Sequence, residues 1–126
     1  MHSKKYADSD FFLALLKDSD WLKEKAKRIY EENKNSIYVS PFTIVELMVV
    51  CVRENIPIKE TIFQISRIAE LEFIKWNLFF KSVEYIEQGA SIFDSLLMAF
   101  AGESEIISSD KIYEKFGFKV IDLKSK

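Results

Sequence analysis

The sequence is poor in the residues on which several kinds of site depend. A single cysteine, Cys51, excludes an internal disulfide and a cysteine-rich zinc cluster, and it suits a reducing compartment. The one histidine, His2, stands at the amino terminus, so histidine-based catalysis and histidine-ligated zinc lose their main candidate. Any catalytic chemistry must therefore rest on other side chains.

Turn-forming residues and long apolar runs are scarce as well. Three glycines and two prolines in 126 residues favour a chain rich in helix. The longest stretch without a charge, residues 35–45, has 11 residues, well short of the roughly 20 that a membrane-spanning helix needs. The first residues carry no secretory or transit pattern. We therefore expect a cytoplasmic protein that does not enter a membrane.

The composition is that of one folded domain without a strong charge bias. Hydrophobic residues make up 48% of the chain, enough for one core over residues 1–126. The 18 lysines and arginines face 20 aspartates and glutamates, so the net charge is only −2. A dedicated nucleic-acid-binding protein usually has a basic excess. Any contact with a polyanion must therefore be local.

Short apolar strands alternate with amphipathic helices along the sequence. Strands are predicted over residues 4–7, 37–39, 105–109 and 118–123. Helices are predicted over residues 11–16, 19–32, 41–54, 58–70, 78–88 after a cap at Asn77, 91–101 and 111–116. The pattern of residues 71–76 is ambiguous, and we interpret it as a short strand. This alternation predicts an α/β fold, a three-layer αβα sandwich with a mainly parallel sheet of four to five strands.

Two carboxylates stand alone in apolar helices. Glu46 is the only charge between residues 35 and 52, and Asp94 is the only charge from residue 88 to residue 102. Neither has a cation among its helical neighbours. Helices this apolar are expected to be buried, and an unpaired buried carboxylate costs several kcal/mol unless a positive group meets it. Both side chains therefore need a partner that is distant in sequence.

Two further acids, Asp8 and Asp110, follow predicted strands directly. In an open parallel sheet the ligand crevice lies at the carboxyl ends of the strands, where the helices carrying Glu46 and Asp94 also begin. Four carboxylates at one edge repel one another, and a hard divalent cation with oxygen ligands, Mg²⁺ or Mn²⁺, would relieve the repulsion. The sequence therefore predicts a metal site formed by these four acids.

Taken singly, each acid also has a structural explanation. Asp8 and Asp110 fit helix N-caps, and Asp94 fits a capping box that begins at Ser91. Glu46 would need an ion pair formed through tertiary packing. The cations available for that pair are Arg53 and Lys59. On this alternative the chain is a non-catalytic α/β interaction module, and only the joint placement of the acids favours the metal site.

Four short motifs resemble the PIN-domain family of metal-dependent ribonucleases. They are residues 6–12 (YADSDFF), 40–47 (SPFTIVEL), 92–99 (IFDSLLMA) and 106–110 (IISSD), in the order and at the spacing of the family. By this resemblance the acidic metal site consists of Asp8, Glu46, Asp94 and Asp110, and Ser108 takes the hydroxyl position before the last acid. The sequence departs from many relatives at Asp10, where they carry asparagine.

The resemblance implies a function as well as a site. It implies an endoribonuclease that depends on Mg²⁺ or Mn²⁺, with Asp8 and Asp94 as direct ligands. Asp110 would be a ligand directly or through water, and Glu46 a ligand or the base that orients the attacking water. The size of the chain resembles the toxin of VapBC-type toxin–antitoxin pairs, which implies an RNA substrate, an antitoxin partner and a homodimer. A nuclease that acts in RNA processing is the alternative.

Three other groups of residues invite a functional interpretation. Cations that could hold phosphate are Lys111, Lys115 and Lys119, and on one helix Lys23, Lys25, Lys27 and Arg28. The latter group also fits a solvated helix face. We interpret the apolar residues 73–80 as core, with an exposed patch for a second copy or an antitoxin helix as the alternative. Cys51 is expected to be a small buried hydrophobic residue.

Overall fold

Five short parallel strands form the centre of the computed structural model, which describes residues 3–18 and 20–125. They are β1 (Lys5–Ala7), β2 (Ile37–Val39), β3 (Glu70–Leu71), β4 (Glu105–Ser108) and β5 (Val120–Asp122). Their order in the sheet is β3-β2-β1-β4-β5, and every neighbouring pair is parallel. The predicted α/β fold with a mainly parallel sheet is confirmed. His2 and the predicted helix start at Ser19 lie outside the described residues.

Seven helices connect the strands within the described residues. They are α1 (Ser9–Leu16), α2 (Lys23–Glu32), α3 (Pro41–Glu54), α4 (Ile58–Ile68), α5 (Trp76–Glu87), α6 (Ile92–Ala101) and α7 (Ile112–Lys115). Helices that follow a strand within one or two residues begin near the carboxyl edge of the sheet, as α1 and α3 do. This placement is what brings their first turns close together.

The sheet separates two apolar cores. Successive strand residues face opposite sides of a sheet, so Tyr6 and Ile106 enter one core while Ala7 and Ile107 enter the other. The core that contains Ala7 is covered by α1 to α4, and the core that contains Tyr6 is covered by α5 to α7. Buried Cys51 on α3 is a small hydrophobic residue, as expected. The molecule therefore has the three layers that the sequence predicts.

Helix α3 shows how local sequence places a functional residue. The Ser40 hydroxyl accepts a hydrogen bond from the Phe42 N–H at 3.0 Å, and Pro41 occupies the first helical position, as predicted. The helix ends at Glu54, before Asn55 in the left-handed conformation with φ of 57°. Because β2 ends at Val39, this start puts Glu46 in the second turn, close to the edge of the sheet.

Between β3 and α5 the sequence predictions were partly wrong. The strand covers only residues 70–71, at the edge of the sheet, and both of its residues are exposed. Helix α5 begins at Trp76 after Lys75, so the predicted cap Asn77 lies inside the helix. The core interpretation of residues 73–80 also fails for several residues, since Phe73 is 84% exposed and Phe80 is 72% exposed. The apolar residues of this segment did not show, from the sequence alone, whether they face the core or the solvent.

Among the described residues, no helix combines the length and the hydrophobicity that crossing a bilayer requires.

Candidate active site

A pocket of about 510 Å³ opens at the carboxyl ends of β1 and β4. The chain leaves these two neighbouring strands toward opposite sides of the sheet, and such a switch point leaves a crevice between the two connections. The pocket is lined by Asp8, Ser9, Asp10, Glu46, Asp94, Ser109, Asp110, Lys111 and Lys124. The structure thus brings together the four acids singled out in the sequence, from four different elements, and adds Asp10 as a fifth.

Asp8 serves both the helix and the pocket. It is the N-cap of α1, where its Oδ1 accepts a hydrogen bond from the Ser9 N–H at 2.8 Å. Its Oδ2 accepts hydrogen bonds from the Ser108 hydroxyl at 3.1 Å and from the Tyr113 hydroxyl at 2.8 Å. Helix capping therefore accounts for the position of Oδ1. The two hydroxyl groups hold Oδ2 close to the acids of the neighbouring elements.

Asp94 lies in the first turn of α6 and makes only half of a capping box. The Ser91 hydroxyl accepts a hydrogen bond from the Asp94 N–H at 3.1 Å. The Asp94 carboxylate, however, accepts a hydrogen bond through Oδ1 from the Tyr113 hydroxyl at 3.1 Å. Backbone capping therefore orders the start of α6, while the side chain faces the pocket.

Asp110 is joined to the pocket wall through Ser108. Its Oδ1 accepts a hydrogen bond from the Ile112 N–H at 3.0 Å, which organises the start of α7. Its own N–H donates to the hydroxyl oxygen of Ser108 at 3.0 Å. Ser108 is fully buried, and its hydroxyl therefore connects the end of β4 with both Asp8 and Asp110.

Glu46 has neither of the tertiary ion pairs considered from the sequence. In the described part of the chain, Arg53 pairs with Glu54 at 3.4 Å, and neither Arg53 nor Lys59 pairs with Glu46. Burial raises the pKa of the Glu46 carboxyl, a hydrogen bond with Ser9 lowers it, and the charge of Asp94 raises it further. This acid therefore faces other acids rather than a cation.

The same crowding acts on the two acids of the first loop. Burial raises the pKa of Asp8 to about 7, and the charge of Asp10 adds to the rise, although hydrogen bonds from Tyr113 and Ser9 oppose it. Burial also raises the pKa of Asp10. Its Oδ2 accepts from the Ser109 N–H at 2.8 Å, whereas its Oδ1 is buried without a hydrogen-bond partner. Burial therefore disfavours the charged form of both carboxylates, and at Asp8 the neighbouring acids add to this effect.

No resident cation relieves that charge among residues 3–18 and 20–125. None of the ion pairs there includes any of the five acids of the pocket. Lys111, at the rim, pairs instead with Asp122 at 2.8 Å and with Glu114 at 3.8 Å. The donor set is entirely oxygen, which suits a hard cation such as Mg²⁺ or Mn²⁺.

The carboxylates line one pocket, but they do not surround a common point. In the part of the chain that the structure describes, no three histidine, cysteine, aspartate or glutamate side chains have the geometry of a formed metal site. A hydroxyl stands between Asp8 and Asp94, and like charges favour separation of the groups. Their oxygen donors and, among the described residues, their lack of ion pairs nevertheless fit a divalent cation by chemistry.

Sequence reasoning missed Tyr113, Ser109 and Lys124 as neighbours of the acids. Tyr113 lies in the predicted helix 111–116 and resembles an ordinary core aromatic residue. Nothing local indicates that its hydroxyl meets Asp8, which is 105 residues away in the chain. Its position three residues after Asp110 is the one sequence feature that relates this tyrosine to the predicted acids.

The predicted phosphate-binding lysines have different surroundings. Lys111 lines the pocket, whereas the basic residues of α2 do not. The Lys23 ammonium donates hydrogen bonds to the carbonyl oxygens of Leu15 at 2.7 Å and Lys17 at 2.8 Å, so it caps the end of α1. The remaining cations of α2 then fit the solvated helix face that was the alternative.

Comparisons with known proteins agree with this geometry. The family model of the PIN domain matches residues 5–119. The crystal structure of Mycobacterium tuberculosis VapC20, a sarcin–ricin loop cleaving toxin, is similar with a TM-score of 0.77 and 17% identity, over 91% of this chain and 96% of that chain. A toxin–antitoxin complex from Klebsiella pneumoniae is similar with a TM-score of 0.79 and 17% identity, over 98% of this chain and 100% of that chain. None of the curated proteins matches the sequence.

Proposed function

Because the chain belongs to the PIN-domain family, we propose that it is an endoribonuclease that hydrolyses RNA phosphodiester bonds with Mg²⁺ or Mn²⁺. One observation carries this proposal. Four carboxylates from four elements line one pocket, and in the described residues no lysine or arginine pairs with any of them. Such a pocket repels a phosphate by itself and attracts a cation that a phosphate can share.

The residues that would hold the ion are Asp8, Asp94 and Asp110, and Glu46 would be either a further ligand or the base that orients the attacking water. A divalent ion bound there supplies an activated water and screens the charge that develops on the phosphoryl oxygens. The protein contributes orientation, because Asp8 is fixed by the Ser9 N–H and by the Ser108 hydroxyl. Binding would also favour loss of the proton that the raised pKa of Asp8 retains near neutral pH.

Other groups of the pocket would act on the substrate. Burial and nearby acids raise the pKa of Glu46, which suits a carboxylate that accepts a proton from the attacking water. Lys111 and Lys124 lie at the rim, where they would neutralise phosphates on either side of the scissile bond. The chain thus has separate groups for proton transfer and for holding the backbone of the nucleic acid.

Within this family, the toxin of a toxin–antitoxin pair is the role that we favour. The similarity to VapC20 and to the Klebsiella complex spans nearly the whole chain, which supports this choice over a separate RNA-processing enzyme. A toxin needs an inhibitory partner, and the chain exposes a large apolar patch formed by Phe73, Trp76, Phe80 and Val83. We propose that an antitoxin and a second copy of the chain are its protein partners.

Metal binding and RNA cleavage test the enzymatic proposal together. Calorimetric titration with Mn²⁺ should show binding to the wild type and none to Asp94→Asn, and only the wild type should cleave RNA. Asp20→Asn is the control, since the Asp20 carboxylate lies outside the pocket and accepts a hydrogen bond from the Leu22 N–H at 2.9 Å, just before α2. Wild-type protein that binds Mn²⁺ but never cuts RNA, or that cuts equally well in a chelator, would contradict the proposal.

The oligomeric state tests the protein partners. Size-exclusion chromatography with light scattering should give a dimer for the wild type. If the apolar patch forms the interface, the double variant Trp76→Ser, Phe80→Ser should be a monomer, because it removes two exposed aromatic anchors. A monomeric wild type would contradict the homodimer and leave the patch to the antitoxin.

A further inference from the structure

We propose that Tyr113 is a positioning residue whose hydroxyl sets the affinity of the pocket for its metal ion by bridging Asp8 and Asp94. This inference rests on the proposed function. It concerns a side chain that the ion would not touch, on an element that contributes no acid to the pocket. The tyrosine belongs to α7, Asp8 follows β1, and Asp94 belongs to α6. One hydroxyl therefore links three elements.

The ring and the hydroxyl of Tyr113 have different surroundings. The residue is completely buried, and its ring packs in the core that contains Leu97, Met98 and Ile106. The hydroxyl emerges behind the pocket wall, 2.8 Å from Asp8 Oδ2 and 3.1 Å from Asp94 Oδ1. Phenylalanine would fill the same core volume without the polar atom. Packing thus explains the ring and leaves the hydroxyl to be explained.

A hydroxyl between two carboxylates acts as a spacer. It has one proton and two acceptor lone pairs, so it donates fully to one carboxylate at a time. Both carboxylates are nevertheless held one hydrogen-bond length from the same oxygen, which fixes the separation of Asp8 and Asp94. Without the hydroxyl, their like charges would drive the two groups apart. Outer groups that orient metal-binding carboxylates typically contribute 10- to 100-fold to metal affinity or activity.

A second tyrosine of the same core provides a matched control. Tyr6 is also buried, belongs to the same cluster as Tyr113, and donates its hydroxyl to a carboxylate, Glu72. Glu72 does not line the acidic pocket. Tyr6→Phe therefore removes the same atom from the same core and breaks the same kind of bond, without disturbing Asp8 or Asp94.

The test compares Mn²⁺ binding, with the metal alone, by Tyr113→Phe, Tyr6→Phe and the wild type. Calorimetry should give a dissociation constant that is roughly 10- to 100-fold higher for Tyr113→Phe. The dissociation constant of Tyr6→Phe should stay within about twofold of the wild-type value, since Glu72, which accepts the Tyr6 hydrogen bond, does not line the pocket. At saturating Mn²⁺ the RNA cleavage rate of Tyr113→Phe should largely recover, because the change weakens assembly of the site and removes no reacting group.

Three other outcomes would each overturn one of the two proposals. Equal Mn²⁺ affinities for Tyr113→Phe and the wild type would overturn the role of Tyr113 and leave the proposed nuclease intact. An equal loss in Tyr6→Phe would show a general effect of core stability and would overturn it as well. Wild-type protein that binds no Mn²⁺ would overturn the proposed function itself. If Tyr113→Phe is less stable, the rise in Tm that Mn²⁺ produces still reports the affinity of its folded state.

Discussion

Two tyrosines of one core donate to carboxylates whose electrostatic surroundings are opposite. Tyr6 bonds to Glu72, which also pairs with Lys4 at 3.3 Å. Burial works to raise the pKa of Glu72, but the hydrogen bonds from Tyr6 and Lys4 outweigh it and hold the pKa below its usual range. Tyr113 bonds to Asp8, whose pKa burial and the neighbouring acid raise to about 7.

The two sites differ because Lys4 pairs with Glu72, whereas no lysine in the described residues pairs with Asp8. Each carboxylate has a hydroxyl donor, so hydrogen bonding alone does not decide whether the charged form is favoured. At Glu72 the fold supplies a cation, and the pair is complete. At Asp8, within the described residues, no lysine or arginine forms an ion pair, and the nearest charged groups that shift its pKa are further acids. A carboxylate cluster that the fold leaves unneutralised is where a cation from solution is expected to bind.

The largest expected effect is on catalysis. Asp8→Asn should reduce RNA cleavage by at least roughly 10²- to 10³-fold, the loss typical when one group that stabilises the transition state is removed. Asparagine still caps a helix, so α1 should be preserved. Glu72→Gln, the same kind of change at the neutralised carboxylate, should leave the rate within about twofold. Cleavage assays at saturating Mn²⁺ measure both, and equal losses would erase the distinction between the two sites.

Stability without metal should change in opposite directions at the two sites. The folded pKa of Asp8, about 7, exceeds its usual 3.8, so the folded protein keeps a proton that the unfolded chain loses. Stability from this group is complete below about pH 4 and is lost as the pH rises through about 7. Asp8→Asn should therefore raise the free energy of unfolding at pH 8 by roughly 1–3 kcal/mol.

Glu72→Gln should instead destabilise the protein at pH 8. Its lowered pKa contributes stability above the usual value of 4.5, and that stability is lost as the pH falls. The expected decrease is about 1 kcal/mol, typical of a lost hydrogen bond. Urea unfolding in the presence of a chelator measures both variants at pH 4 and pH 8. A destabilised Asp8→Asn at pH 8 would show that the Asp8 charge is already compensated in the fold.

Binding of Mn²⁺ should depend on pH around neutrality. Because a proton on Asp8 competes with the ion, the apparent affinity should fall by up to about tenfold for each pH unit below 7. Above about pH 8 the affinity should level off. Calorimetry in buffers of different ionisation enthalpy should also show release of a proton near pH 7. A flat profile from pH 6 to pH 8 would contradict the raised pKa.

The smallest expected effect is at the rim of the pocket. Lys124→Ala should lower kcat/KM roughly threefold at low salt. The slope of log kcat/KM against log salt concentration should fall by about one, as expected for the loss of one phosphate contact. The Mn²⁺ affinity should stay unchanged, since this lysine pairs with none of the acids in the described residues. Cleavage measured over a series of salt concentrations tests the prediction, and an unchanged salt slope would remove Lys124 from the RNA path.

Local signals in the sequence predicted the framework well. Ser40 followed by Pro41, and Ser91 before an apolar run, mark helix starts that the structure confirms. These signals work because caps are formed by neighbouring residues. The short edge strand β3 and the start of α5 were predicted poorly, because exposed apolar residues such as Phe73 and Trp76 imitate a covered face.

The acids of the site were predicted from their uncompensated charges and from their positions after strands, and the family resemblance added Ser108. Glu46 and Asp94 could be singled out because their helical neighbours carry no cation, and strand ends indicated Asp8 and Asp110. The contacts between them were beyond reach, since Tyr113 and Ser108 meet Asp8 across more than ninety residues. A hydroxyl on an apolar helix face carries no local sign that it faces an acid. Roles for these residues remain predictions that the variants above test.

A crystal structure of the wild-type protein grown with Mn²⁺ tests the central claim most directly. Anomalous scattering locates manganese without reference to the protein chemistry around it. We predict a manganese peak within coordination distance of Asp8 and Asp94, with the Tyr113 hydroxyl still bonded to these carboxylates on the side away from the ion. A map with manganese elsewhere on the molecule, and only water among the four acids, would contradict the account.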